Sequence, residues 1–207
     1  SIIDLAFTLP LIVFVFIGYL RKRPCLGRVA LLWIFVYLGM GTWQHGRVIE
    51  YVKEVAASRN DTILRVVAHP SICNLVLWRT LYETTSGEIV VDAVRQGMGK
   101  ARLYEGDRMV AFALNASRYG IEEESRLWKD IERFHYFSDG WIAEPADLME
   151  SDYILGDLRY GLIPNNPEPL WGIRVREEHP DEHTPFLDLR EIEDGDIGRL
   201  VDMIRGR

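Results

Sequence analysis

Two ionisable side chains stand at the ends of two apolar runs near the N-terminus. Asp4 precedes the uncharged run Leu5–Leu20, and His45 follows the uncharged run Val29–Trp43. If the two runs pair as antiparallel helices in a membrane, Asp4 and His45 reach the same membrane face, where ionisable groups are costly and often functional. A carboxylate and an imidazole suit a divalent metal such as zinc or manganese, but a catalytic zinc takes about three protein ligands. The pair therefore predicts either a metal site or interfacial capping and hydrogen bonding.

Two arginines belong to apolar runs in the second part of the chain. Arg79 lies inside the run Leu75–Tyr82, and Arg159 lies in Asp157–Gly161, where another run ends. Guanidinium groups bind carboxylates and phosphates through paired hydrogen bonds. Arg79 and Arg159 therefore either pair with Asp157 inside the domain or bind an anionic substrate, and the sequence leaves both interpretations open.

The segment His179–His183 (HPDEH) places two imidazoles and two carboxylates within five residues. Pro180 prevents the helix that would align the two histidines, so we expect a solvated loop rather than a metal site. The sequence contains no Walker loop, dinucleotide fingerprint, HExxH or Gly-x-Ser-x-Gly motif. The two cysteines, Cys25 and Cys73, are predicted to lie on opposite membrane faces, so we expect inert thiols and no disulfide.

The elements that would position these residues begin with two membrane helices. Leu5–Leu20 contains no charged residue, and the basic segment Arg21–Arg23 follows it where a signal peptide would carry small residues. Val29–Trp43 is short for a span, so a buried core helix is the alternative, but its pairing with the first run favours a helical hairpin. The stretch 47–58 is predicted to be a helix that leaves the membrane. These two helices predict that the protein binds the lipid bilayer.

The charged residues are distributed unevenly along the chain, and their distribution predicts how the chain is oriented in a membrane. Residues 1–50 carry five Lys and Arg against two Asp and Glu, whereas residues 51–207 carry 19 against 29, so the first part is basic and the acidic second part gives the chain its negative net charge of −7. Four positive charges and no negative one lie in Arg21–Arg28. The positive-inside rule places this loop in the cytoplasm and the rest on the far side, the periplasm of a bacterial inner membrane. An acidic domain argues against nucleic acid as a partner.

The second part predicts a β-rich α+β domain, so we divide the chain into an anchor at 1–50 and a domain at 51–207. Turn residues such as Ser86-Gly87 separate the apolar runs, and we expect residues 60–207 to fold as a soluble unit. The segment 107–118 could be helix or strand, and 177–185 is predicted to be a loop. Strands are predicted at Thr62–Ala68, Leu75–Tyr82, Glu88–Arg95, Trp141–Glu144, Tyr153–Leu158 and Leu170–Arg176, and helices at Gly120–Phe134 and Asp196–Ile204.

Several short motifs occur together in a recognisable order. They are Asp4–Pro10, Gln44–Val48, His69-Pro70, Asn74 with Trp78-Arg79, Asp157–Gly161 and Pro169–Ile173. In this order the chain resembles the YdjM-like, membrane-bound metal-dependent hydrolases of bacterial inner membranes, from residue 4 to about residue 176. It looks like the C-terminal portion of such a protein, or a reduced relative, because nothing in it matches the N-terminal His- and Asp-rich segment credited with metal binding in that family.

The resemblance implies a membrane-bound hydrolase that uses a divalent metal, zinc or manganese. Asp4 and His45 would then be metal ligands or neighbours of the ligands, and Arg79 and Arg159 would bind the substrate anion. The competing hypothesis is a non-enzymatic, membrane-tethered assembly domain whose hairpin packs against other membrane subunits.

Overall fold

The computed structural model describes residues 4–72, 74–145 and 152–207. The predictions made for Cys73 lie outside these residues. Cys25 is exposed and free.

The chain begins with an antiparallel pair of helices, α1 (Leu5–Leu20) and α2 (Pro24–Ser58). The turn between them is short, and Lys22 within it has a positive φ of 49°. Proline at the first position of α2 suits a helix start, because its missing N–H would have no partner there. The indole N–H of Trp33 donates to the carbonyl of Phe7 at 3.1 Å, which fixes the register of the pair. The helical hairpin is therefore present.

Among the described residues, α2 is the one helix that is long and apolar enough to cross a membrane, and α1 is a shorter apolar helix. The 16 residues of α1 span about 24 Å at 1.5 Å per residue, somewhat less than a hydrocarbon core of about 30 Å. Large apolar side chains on both helices face outward, including Phe16, Leu32 and Phe35.

Helix α2 continues without a break through 47–58, the segment predicted to be a helix that leaves the membrane. The predicted boundary between residues 50 and 51 falls inside it. Val48, Val52 and Ala56 recur at four-residue intervals and are buried against the domain. The first half of α2 is thus the predicted apolar span, and the second half is a core helix.

The first sheet is antiparallel and packs against this second half of α2. Its strand order is β1-β2-β3-β4, and β5 pairs with the other end of β3. Strand β3 has the predicted bounds. The strands are β1 (Ile63–Pro70), β2 (Leu77–Thr84), β3 (Glu88–Arg95), β4 (Arg102–Tyr104) and β5 (Arg108–Val110). The ambiguous segment 107–118 therefore contains a strand, β5, and a 3-10 helix at Ala116–Tyr119.

The second sheet has the order β6-β7-β8 and lies next to α3. The remaining elements are α3 (Arg126–Phe137), β6 (Asp152–Gly156), β7 (Trp171–Arg176), β8 (Phe186–Asp188) and α4 (Asp196–Arg205). Helix α3 starts later than predicted, because the Ser125 hydroxyl caps it by accepting from the N–H of Trp128. The segment 177–185 contains turns and loop, as predicted.

The strand predicted at Trp141–Glu144 was wrong, since the segment makes a single β-bridge, between Ala143 and Ala111. Trp141 and Ile142 are both fully buried but belong to different cores. The apolar residues of this segment therefore fill two cores instead of pairing along a sheet. The architecture as a whole is the predicted α+β class, with an apolar N-terminal helix followed by a β-rich domain.

Candidate functional site

Asp4 caps α1 and contacts α2. Its Oδ1 accepts from the backbone N–H groups of Ala6 at 2.9 Å and Phe7 at 3.4 Å, which satisfies two donors at the helix start. Its Oδ2 accepts from the Tyr37 hydroxyl. Both carboxylate oxygens are therefore used in capping and in the helix contact, which is one of the two roles predicted for this residue.

His45 lies farther along α2 and is exposed, with its ring 5.8 Å from that of Trp78. Eight residues separate it from Tyr37, the partner of Asp4, which corresponds to about 12 Å along the helix axis. The structure therefore does not bring Asp4 and His45 together. Among the described residues, no group of three or more His, Cys, Asp and Glu side chains could hold a metal ion.

Arg79 is 3% exposed and organises the loop between β6 and β7. Its Nε donates to the Leu158 carbonyl at 2.7 Å, and its Nη1 lies 2.6 Å from the Asn166 carbonyl. Two further carbonyls, those of Ile163 and Pro164, lie within 3.3 Å of Nη1. Burial lowers the pKa of the guanidinium to about 10, which leaves it charged at neutral pH. Arg79 thus binds backbone oxygens of its own chain.

Arg159 forms the ion pair that was predicted as one alternative, with the fully buried Asp157. Its Nε and Nη2 lie 2.9 and 2.7 Å from the two carboxylate oxygens, and its backbone N–H donates to Oδ1 at 3.1 Å. The hydrogen bond to Asp157 raises the pKa of Arg159. The indole N–H of Trp171 lies 3.3 Å from Oδ2 and completes the coordination of this carboxylate.

Aromatic rings cover these charges. His69 lies opposite Arg79 in the β1–β2 register, and its ring is 5.4 Å from that of Tyr160, which is 4.9 Å from Trp171. Gly161 leaves room for Arg79, because a Cβ there would lie 2.5 Å from Nη1. We call this group the Arg79 cluster: His69, Arg79, Asp157, Arg159, Tyr160 and Trp171.

The Arg79 cluster has two guanidinium groups against one carboxylate. Within it, His69 Nε2 and Arg79 Nη2 are buried and have no hydrogen-bond partner among the described residues. The sequence analysis assigned roles to both arginines and to Asp157. His69, Tyr160 and Trp171 appeared in it only within the motifs quoted for the resemblance, with no role assigned.

The partly buried position of His69 predicts a pH-dependent stability. Burial, reinforced by the positive charge of Arg159, lowers the pKa of His69 below its ordinary 6.5. The unfolded chain therefore binds a proton first as the pH falls, so this stabilisation is complete above about pH 6.5 and is lost below it. We expect His69→Gln to reduce the difference between melting temperatures measured at about pH 7.5 and about pH 5.5.

His179→Gln is the matched control for that experiment, since both His179 and its neighbour Glu182 are exposed. His135 also has a pKa lowered by burial, so part of the pH dependence will persist in His69→Gln. An unchanged pH dependence in His69→Gln would contradict the assignment.

The two histidines of the predicted loop 177–185 lie away from the Arg79 cluster. His183 Nδ1 is 2.9 Å from Asp130 Oδ2, and His179 Nδ1 is 3.4 Å from Glu182. Both rings are exposed, as expected for a solvated loop.

Comparison with known proteins adds no family to this geometry: no family model, curated protein or solved structure matches the chain. The resemblance to the YdjM-like hydrolases therefore stays a prediction that depends on the motifs quoted above.

Proposed function

We propose that this protein is anchored in a bilayer by the α1–α2 hairpin and works at the membrane surface. The observation that carries this proposal is the apolar outer surface of the hairpin, where side chains as large as Phe35 are 73% exposed. An exposed apolar surface of this extent is unfavourable in water and is satisfied by lipid. Both helices together, rather than α2 alone, form the proposed anchor.

Hydrogen bonds and packing contacts, in addition to the continuous backbone of α2, connect the proposed anchor to the domain. The Gln44 side-chain amide donates to the Gln96 carbonyl at 2.9 Å, and Arg47 donates to the carbonyls of Gly97 and Gly99 at 3.0 and 3.2 Å. Val48 and Val52 then enter the core of the first sheet. These contacts support a domain held in a fixed orientation over the membrane.

We propose a bacterial inner-membrane location with the turn at Arg21–Arg28 in the cytoplasm and the domain in the periplasm, because this turn is basic. Alkaline phosphatase fused after residue 60 should then be active in a bacterial host, since the enzyme folds only after export. A fusion within the turn should be inactive. The opposite pair of results would reverse the topology.

For the activity, we propose the metal-dependent hydrolysis that the resemblance implies. The described residues do not fit a complete metal centre: Asp4 is committed to Tyr37 and the start of α1, and His45 lies two helical turns beyond. His45 is exposed and free of ion pairs within the described residues, so it is the better ligand candidate of the two. The other ligands would come from outside the described residues or from another chain.

Metal analysis of the detergent-purified full chain tests this activity. We expect about one equivalent of a divalent transition metal, zinc or manganese, which His45→Ala removes while the melting behaviour of the domain stays unchanged. An exposed side chain leaves no core cavity when it is truncated, so stability should be preserved. His179→Ala, which removes another exposed histidine, is the control and should retain the metal.

A wild-type protein that binds no metal but purifies with a stable partner would instead support the assembly role. In that case the hairpin surface would pack against other membrane subunits. Full metal content in His45→Ala would remove His45 from the site.

A further inference from the structure

Two loops leave the first sheet at the end where α2 enters the domain. The loop 71–76 follows the end of β1 and precedes β2, and the loop 96–101 follows the end of β3 and precedes β4. Both loops reach α2 just beyond its apolar half. Gly41 lies against Leu75, to which a Cβ on this glycine would be 3.6 Å away, and Gln44 binds the Gln96 carbonyl. This end of the sheet is therefore the end nearest to the proposed membrane.

Arg47 fixes the height of the second loop above the bilayer. It binds the carbonyls of Gly97 and Gly99, on either side of Met98, and its guanidinium lies 4.7 Å from the ring centre of Trp43. Trp43 and Arg47 are one helical turn apart, which corresponds to about 6 Å along α2. Tryptophan favours the interface between lipid and water, so Met98 is held within roughly one helical turn of that interface.

Exposed apolar side chains stand on both loops. Met98 is 85% exposed between its two glycines, and Ile72 is 45% exposed on the first loop. Lys100 follows on the second loop and is also exposed. Single exposed apolar residues are common on protein surfaces, but these two flank the helix at the point where it leaves its apolar segment. Met98 and Lys100 place an apolar and a basic side chain on the same loop, a combination that also occurs in segments that bind the lipid interface.

We infer that Ile72 and Met98, on the loops that follow β1 and β3, form a second membrane contact by inserting into the interfacial layer of the bilayer that holds the hairpin. Lys100 would lie at the level of the lipid phosphates. The domain would then rest on the membrane at three points: α2 and the two loops. This inference rests on the proposed anchoring, and it adds the orientation in which the sheet faces the membrane.

An environment-sensitive fluorophore tests the inference in the full chain reconstituted in lipid nanodiscs. Cys25 and Cys73 are first replaced with Ser, and single cysteines are then labelled in Phe35→Cys, Met98→Cys and Leu64→Cys. Position 35 lies on the apolar outer surface of the hairpin. Leu64 is 64% exposed at the opposite end of β1 and is the matched apolar control.

We expect blue-shifted emission, quenched by spin-labelled lipid, at positions 35 and 98 but not at position 64. Quenching at 35 together with water-like emission at 98 would overturn the second contact and leave the anchoring intact. Absence of quenching at 35 would overturn the anchoring itself, and this inference with it. Blue-shifted emission at 98 that lipid quenchers do not reach would show that a protein surface covers the loop, which also overturns the inference.

Discussion

A fragment comprising residues 60–207 will aggregate when it is expressed without the helices, contrary to the expectation from sequence that it folds alone. Val48, Val52 and Ala56 cover the first sheet, and their removal exposes its buried side chains to water. Each fully buried valine contributes about 1.5–3 kcal/mol, which is a large share of a total stability of about 5–15 kcal/mol. The loss of Arg59 also leaves Asp92 buried without its ion pair.

A fragment comprising residues 42–207 is the matched control, because it keeps the second half of α2 and omits the apolar span. We expect it to be monomeric by size-exclusion chromatography and to unfold in one cooperative thermal transition. Equal behaviour of the two fragments, both monomeric and cooperative, would show that the sheet does not depend on α2.

Asp157→Ala will destabilise the domain by about 3–5 kcal/mol, because it leaves the half-buried Arg159 guanidinium without its counter-charge. The variant also removes the acceptor of the Trp171 indole N–H. Denaturant unfolding of the detergent-solubilised full chain measures the change as a lower midpoint at an unchanged slope.

The chain provides its own control in Asp188–Arg190, a second Asp-Leu-Arg sequence. Arg190 binds Asp188 through the same three donors, with its backbone N–H and Nε at 3.2 and 2.8 Å from Oδ1. Both side chains are exposed, and such pairs contribute little because water already solvates the separate charges. Asp188→Ala should leave the midpoint unchanged. A similar loss in both variants would contradict the role assigned to burial.

These two tripeptides also show how far the sequence could predict the site. The same three residue types occur in Asp157-Leu-Arg159 and Asp188-Leu-Arg190, and the same local hydrogen bonds form in both. Only the packing of the second sheet and its loops decides which pair is buried. The partners of Arg79 were unpredictable for a related reason, since it binds backbone carbonyls, which every residue has and no motif marks.

The fold was predictable where local signals agreed. Strand β3 has its predicted bounds because its apolar run follows a turn at Gly87, whose positive φ of 83° suits glycine. The sequence predicted helix at 47–58 but did not predict that this helix enters the core of the domain, because charged residues such as Glu50 and Lys53 interrupt the apolar run. The four-residue spacing of Val48, Val52 and Ala56 was the available sign of a single buried helical face.

Because α2 is one continuous helix, a tilt of its apolar half moves its second half through the same angle. From Trp43 to Ser58 it extends about 22 Å beyond the apolar half, with no proline after its first residue to act as a joint. A change of 10° in the tilt of the span therefore displaces the far end by about 4 Å and carries with it the sheet packed on the second half. In the proposed anchoring, a bilayer whose thickness changes the tilt of the hairpin would therefore also move the Arg79 cluster relative to the membrane.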